Sequence, residues 1–280
     1  FIGQISPSHV HSMMNKPEFK ALTYGVKKHY MRHIRLAFKF IMGPMASLYL
    51  NPAHNVYIPR NKDEEPHQVQ WIRPEVMEKI IDLYHDKDLN PLNKWASLFY
   101  FAYYTGMRSG EIFSLTADDV HLENPENSCV VVRTTYNWKT EKITPTKSGQ
   151  QRVVDVTAIR KYLLAHRLRT NAVEKDFFFP RDREWKSGKA AQAVRAALKE
   201  VGYTPEKNAK GKELWPNFHS LRASYIMNLL TAGVPHLTVQ QLVGHADYAT
   251  LKHYTAKLKP EDIKGVSHKL KPHTKNRKSG

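Results

Sequence analysis

Four short segments carry side chains that could handle a phosphate group. Thr105-Gly106-Met107-Arg108-Ser109-Gly110-Glu111 sets an arginine between two glycines, directly after a strongly apolar stretch. Burying an unpaired guanidinium there would be costly, so Arg108 is either a functional cation or an arginine exposed or paired with Glu111 at a helix end. His219-Ser220-Leu221-Arg222 spaces a histidine and an arginine three apart, which on a helix puts them on one face. At the first turn of a helix the positive dipole end would favour an anion between them. The plain alternative is a capping histidine and a surface arginine. Gly244-His245-Ala246-Asp247 reads as a turn that presents a histidine, and Tyr254 follows nine residues after it. Taken alone, Tyr254 reads as core packing. Thr146-Lys147-Ser148-Gly149-Gln150 puts Lys147 at a hairpin tip, where it is either solvated or able to reach a phosphate or donate a proton.

Other chemistries find no support. There is no GxxxxGK[ST] loop and no HExxH pair, so nucleotide-driven and zinc-protease chemistry are not indicated. The 15 histidines form no clear ligand cluster, and a single cysteine, Cys129, excludes both an internal disulfide and a cysteine zinc site. Cys129 sits in the run Cys129-Val130-Val131-Val132 and reads as a small strand residue. Neither a metal nor an organic cofactor is expected.

The segments need elements to hold them, and the pattern predicts a mainly helical chain with a small antiparallel sheet. Ser6 to Met14 reads as a short helix, with Ser6-Pro7 as its start. Leu22 to Leu50 alternates apolar residues (Tyr24, Val26, Tyr30, Ile34, Leu36, Ala37, Phe40, Ile41) with Lys27, Lys28, Arg32, Arg35 and Lys39, and Gly43-Pro44 should break it. This is either an amphipathic helix with a solvated basic face or a helix lying along DNA phosphates. Residues 52 to 70 carry Pro52, Pro59, Pro66 and the acidic run Asp63-Glu64-Glu65, and read as a linker. Beyond Trp71, helices are expected from Pro74 to Tyr84, Asn93 to Tyr104 and Gly110 to Leu115. The period then changes to strands at Val120–Leu122, Cys129–Thr134 and Arg152–Val156, with Ser148-Gly149 turning between the last two. Helices return at Ala158–Arg169, Lys189–Val201, His219–Thr231 and Leu237–Val243, with Gly233 ending the third.

Composition narrows the partner. With 43 Lys plus Arg against 26 Asp plus Glu, the formal net charge is +17, which favours polyanions, nucleic acid first and acidic membranes second. A hydrophobic content of 41% suffices for a folded core, and no apolar run approaches the length of a membrane span. No signal peptide is visible, and a reducing, cytoplasmic compartment fits. The first residue is Phe1 and not Met, which reads as a fragment or processed chain.

In order and spacing, the four segments together resemble the tyrosine recombinase (phage integrase) family of site-specific, mobile-element recombinases. Its arginine box TGxRxxE is met by Thr105, Gly106, Arg108 and Glu111; its hairpin lysine by Lys147, with Lys139 and Lys142 as neighbours; and its HxLR box by His219, Leu221 and Arg222. Its LGH motif and following tyrosine are met by Val243-Gly244-His245 and Tyr254. Leu229 to Gly233 and Gln241 also fit. Ala223 stands where a histidine is common, and Val243 where a leucine is usual; neither is a catalytic position. The specific motifs cover residues 71 to 262, and residues 1 to 51 fit only loosely.

The resemblance implies a catalytic domain over 71–262, preceded by a helical core-DNA-binding domain over 1–51, incomplete at its N-terminus, and followed by a basic tail over 263–280. It implies metal- and ATP-independent transfer in which Tyr254 attacks double-stranded DNA and forms a 3′-phosphotyrosyl bond. Arg108, Arg222 and His245 would bind the phosphate, Lys147 would protonate the leaving 5′-oxygen, His219 would assist proton transfer, and Glu111 would support Arg108. It implies a homotetramer that exchanges strands through a Holliday junction, with residues 258 to 270 packing on a neighbouring protomer. Whether an arm-binding domain precedes Phe1 stays open. The rival readings are a type IB topoisomerase, a non-catalytic DNA-binding relative and a helical RNA-binding protein.

Overall fold

The computed structural model of the chain describes residues 4–43, 50–60, 69–146, 149, 151–181, 188–244 and 254. The chain divides into two units, residues 1–67 and 68–280.

The first unit is helical: α1 (Pro7–Asn15), α2 (Pro17–Lys20) and α3 (Tyr24–Met42). Thr23 caps α3 through a bond from the Val26 amide at 3.4 Å, and Gly43 ends it with φ 39°. The inward stripe of α3 is Lys27, Met31, Ile34 and Phe38, at the spacing of one helix face, packed with Val10, Met14, Ala53 and Val56. Of the apolar residues expected to define that helix, only Ile34 lines this core; Tyr30, Leu36, Phe40 and Ile41 are exposed. Ala53 and Val56 are buried, and Arg35 donates to their carbonyls at 2.8 and 3.0 Å. Ala53 and Val56 therefore belong to this unit's core, so the expected linker does not begin at residue 52, and their carbonyls supply the acceptors that Arg35 needs.

The second unit is built round α5 (Lys94–Thr105), whose residues from Ala96 to Tyr103 are all buried. Asn93 caps it by accepting from the Trp95 and Ala96 amides at 2.9 and 3.1 Å, a contribution of about 1 kcal/mol. Against α5 pack α4 (Pro74–Tyr84) and α9 (Phe218–Thr231), and α8 (Lys189–Glu200) packs on α4 and α9. A short α6 (Ser109–Ile112) follows α5, and α7 (Arg160–Thr170) and α10 (His236–Val243) complete the helices described. A three-stranded antiparallel sheet runs in the order β1 (Val120–His121), β2 (Cys129–Val132), β5 (Arg152–Asp155). Its register pairs Val130 with Val154 and Val132 with Arg152, so the buried valines line one face and Arg152 stands at one end. Helix α10 packs on both α9 and β5, which brings its last residue near that end.

Two hairpins were not legible in the sequence. The run expected as one strand, Cys129–Thr134, breaks at Arg133, and a separate pair follows: β3 (Thr134–Asn137) and β4 (Lys142–Pro145). All of β4 is exposed, so it lacks the apolar alternation by which a half-buried strand is recognised. The second pair, β6 (Glu206–Lys207) and β7 (Glu213–Leu214), is too short to show a period. Among the described residues, no helix is long and apolar enough to cross a membrane.

Candidate active site

Two helix ends and one helix start meet in the second unit. Helix α5 stops at Gly106, which adopts the left-handed conformation at φ 60°. A Cβ there would come within 2.4 Å of the Tyr225 ring, so glycine allows both the turn and the close packing of α9. Helix α10 stops in the same way at Gly244, φ 65°. Helix α9 starts between them, with Asn217 accepting from the His219 amide at 2.8 Å and Ser220 accepting from the Asn217 amide at 3.0 Å.

Arg222 occupies the middle of this junction and is 1% exposed. Its guanidinium donates to the carbonyl of Gly106 and to that of Val243, both at 2.5 Å. The two carbonyls belong to the C-terminal ends of α5 and α10, where helix dipoles carry negative partial charge and cations are stabilised. Burial, then the positive charge of Arg108, pulls the Arg222 pKa down to about 9, which leaves it cationic at neutral pH.

Arg108 opens α6 and keeps 43% of its side-chain surface exposed. Its guanidinium donates to Glu111 Oε1 at 2.9 Å and to the Gly244 carbonyl at 3.4 Å, while its amide donates to Glu111 Oε2 at 2.8 Å. Arg108 is thus both paired with Glu111 and open to solvent, which leaves its guanidinium accessible at the helix end. Glu111 is 3% exposed. Burial pushes its carboxyl up, but the bonds from Arg152 and the charges of Arg152 and Arg108 outweigh it and hold the pKa at about 2.

His219 and Arg222 lie in the first turns of one helix, as their spacing required. The His219 side chain keeps contact with solvent, yet the surrounding protein, with Arg222 and Arg108, lowers its pKa. The imidazole is therefore neutral at pH 7 and able to accept a proton.

Tyr254 is 6% exposed and packs with Ala223, Ile226, Met227, Leu230, Val239 and Val243. Burial raises its pKa, and Arg222 and Arg108 pull it the other way. The phenol is held in a small core yet stands within electrostatic reach of both arginines. Arg108, Glu111, His219, Arg222 and Tyr254 are thereby gathered at one place. Lys147, His245 and residues 258 to 280 lie outside the described residues.

Sequence reasoning missed Arg152. Its side chain is 13% exposed and grips Glu111 with both terminal nitrogens, at 3.0 and 2.6 Å. The signal was weak because Glu111 lies 41 residues away and Arg152 read only as the first residue of a strand. In the first unit, Lys28, Arg32 and Lys39 are exposed on α3, but two expected DNA contacts are placed otherwise. Lys27 is 2% exposed, in the core stripe, and Arg35 is spent on the carbonyls of Ala53 and Val56.

Residues 70–261 match the phage integrase family. The chain is 31% identical to tyrosine recombinase XerD of Corynebacterium glutamicum over 159 residues, covering 57% of this chain and 47% of that protein. It is 26% identical to tyrosine recombinase XerC of Neisseria meningitidis over 232 residues, covering 82% of this chain and 68% of that protein. The match thus spans about half the length of the XerD relatives. Among solved structures, the integrase of the Tn1549 transposon, in complex with transposon right-end DNA, superposes with a TM-score of 0.67 at 16% identity, covering 96% of this chain and 87% of that one. The XerH site-specific recombinase, bound to palindromic difH substrate in a post-cleavage complex, gives 0.62 at 19%, covering 95% and 72%. At these identities the likeness is one of fold.

Proposed function

The chain belongs to the phage integrase family, and from that premise we propose that it is a site-specific DNA recombinase that cuts and rejoins strands through Tyr254. The observation that carries this reading is that Tyr254 shares a buried cluster with Val243, whose carbonyl accepts from Arg222, while Arg108 donates to the next carbonyl, of Gly244. The similar proteins are named as recombinases, and similar structures were solved on DNA, which supports DNA as the partner.

Tyr254 Oη attacks a DNA phosphorus, a P–O bond forms to the phenol, and the bond to the 5′-oxygen breaks. The product is a 3′-phosphotyrosyl adduct and a free 5′-hydroxyl. Because the ester is conserved, a 5′-hydroxyl from a partner strand can attack the adduct and release the tyrosine without ATP. Negative charge that develops on the non-bridging oxygens falls to Arg108 and Arg222, which stay ionised and offer fixed N–H donors. Their carbonyl and carboxylate partners orient them before DNA arrives, so little reorganisation is needed during the reaction. The buried phenol is protonated at neutral pH, so its proton must be taken as it attacks, and neutral His219 would assist that transfer. Lys147 would return a proton to the 5′-oxygen, and His245 would add a donor to the phosphate. Two cationic donors supply the charge otherwise expected of a divalent metal. Lys28, Arg32 and Lys39 would contact DNA phosphates from the first unit. Assembly as a tetramer on two sites, with residues 258 to 270 reaching a neighbour, completes the proposal.

The test is covalent trapping. The chain is mixed with a pool of short randomised duplexes carrying nicks, so that a cut fragment diffuses away and cleavage becomes irreversible. A denaturant-stable, protease-sensitive adduct is expected, undiminished by EDTA, and absent from Tyr254→Phe although that variant still binds DNA. An adduct in the Phe variant would exclude Tyr254 as nucleophile, and loss of the adduct in EDTA would overturn the metal-free route.

A further inference from the structure

We propose that Arg152 is a positioning residue for this chemistry, sharing the Glu111 carboxylate so that Arg108 is aimed by it without being consumed by it. The proposal rests on the recombinase reading and deepens it. Both carboxylate oxygens of Glu111 are fully engaged. Oε1 accepts from the Arg108 and Arg152 guanidiniums at 2.9 and 3.0 Å, and Oε2 from the Arg108 amide and the Arg152 guanidinium at 2.8 and 2.6 Å. A carboxylate has about four acceptor sites, and here two cations and one amide fill them. The fork from Arg152 is bidentate and the contact from Arg108 is single, so Arg108 keeps further N–H donors while remaining fixed in direction.

The second support of the arrangement is Gly244. A Cβ there would press on Cδ and a terminal nitrogen of Arg152, both at 3.1 Å, so glycine lets the end of α10 close on the Arg152 side chain. The Gly244 carbonyl accepts from Arg108, and the preceding carbonyl, of Val243, accepts from Arg222. Arg152 thus sits beneath both things that orient Arg108: the carboxylate and the helix end. Both of its terminal nitrogens bond Glu111, so it acts on the reaction through that carboxylate and Arg108.

Without Arg152, a buried carboxylate would face one cation in place of two. Arg108 would then turn into a bidentate pair with Glu111, the tighter geometry for such a couple, and its donors would be lost to the phosphate. Lysine could not replace Arg152, since it is a point charge without a fork.

The duplex trapped by the wild-type chain serves as substrate for single-turnover cleavage and for DNA affinity. Arg152→Ala should hold affinity within about threefold and slow cleavage by roughly 30- to 100-fold, the usual scale for misplacing a supported group. Arg152→Lys should not restore the rate. Adding Glu111→Gln to Arg152→Ala should recover at least about fivefold over Arg152→Ala alone, because it removes the unbalanced carboxylate that captures Arg108. A merely structural role would make the two losses add. If Arg152→Ala does not fold, Arg152→Gln carries the same comparison. A wild-type rate in Arg152→Ala, or additive losses in the double variant, would overturn the proposal while leaving the recombinase reading intact. Failure of the wild-type chain to form any adduct would instead sink that reading.

Discussion

Lys28, Arg32 and Lys39 stand in solvent along one face of α3, whereas Arg222 is 1% exposed and clasped by the ends of two helices. Both regions are cationic, but the charge is organised differently. On α3 the cations share a helix face with exposed apolar residues, and each can move to meet a phosphate wherever it lies. At the junction of α5, α9 and α10, every guanidinium is fixed by carbonyls or by Glu111 before any ligand is present. The first arrangement makes a field, in which one residue substitutes for another. The second makes a geometry, in which none does.

The sharpest break of this contrast is Arg222→Ala. Losing one preorganised donor from the proposed phosphate site should slow adduct formation by about 10³-fold, read by single-turnover trapping, with DNA affinity reduced far less. Two carbonyls would also lose their donor, so the melting temperature should fall.

Next in size is His219→Gln, expected to lose about 10²-fold in cleavage rate. The pH profile sharpens that test. A lowered pKa means that the neutral imidazole persists below the ordinary value of 6.5, so wild-type cleavage should stay flat from pH 7 down to about that point and fall only below it. Glu111, held at about 2, stays ionised throughout and cannot supply this limb. The Gln variant should lack it. A limb centred above pH 7 would show that His219 is not the group titrating.

Buried His166 extends the acid prediction to stability. Burial lowers its pKa from 6.5 to about 4, so the unfolded chain takes up a proton that the folded one refuses. The stabilisation is complete above pH 6.5 and is lost as pH falls toward 4. It amounts to something on the order of 3 kcal/mol, readable from urea melts of wild type against His166→Gln.

The smallest effects belong to α3. Each of Lys28→Ala, Arg32→Ala and Lys39→Ala should weaken DNA binding severalfold and reduce the slope of log affinity against log salt by about one. Lys27→Ala should leave that slope unchanged and alter stability instead, since Lys27 is 2% exposed. Equal salt slopes for Lys27→Ala and Lys28→Ala would erase the distinction between the two regions.

What could be read from the sequence follows the range of the interactions. His219 and Arg222 are three apart on one helix, and Arg108 and Glu111 three apart across a short turn, so their association was visible in local spacing. Arg152 was invisible because its partner comes from another element, 41 residues away, and nothing within its own strand pointed to that partner. On α3, the apolar residues outnumber the positions that the small core can cover, so the buried stripe through Lys27 and Met31 could not be picked out from hydrophobicity alone. The fold class and the main helices were legible because their apolar periods are long; the β3–β4 hairpin was not, because its outer strand buries nothing.

Everything proposed for the junction depends on the phenol of Tyr254 carrying the DNA. Digesting the trapped adduct with protease and nuclease, then locating the residual nucleotide by mass spectrometry, tests it directly. One modified peptide is expected, bearing a 3′-linked nucleotide phosphate on Tyr254. A nucleotide on any other residue, or one joined through its 5′-phosphate, would contradict it.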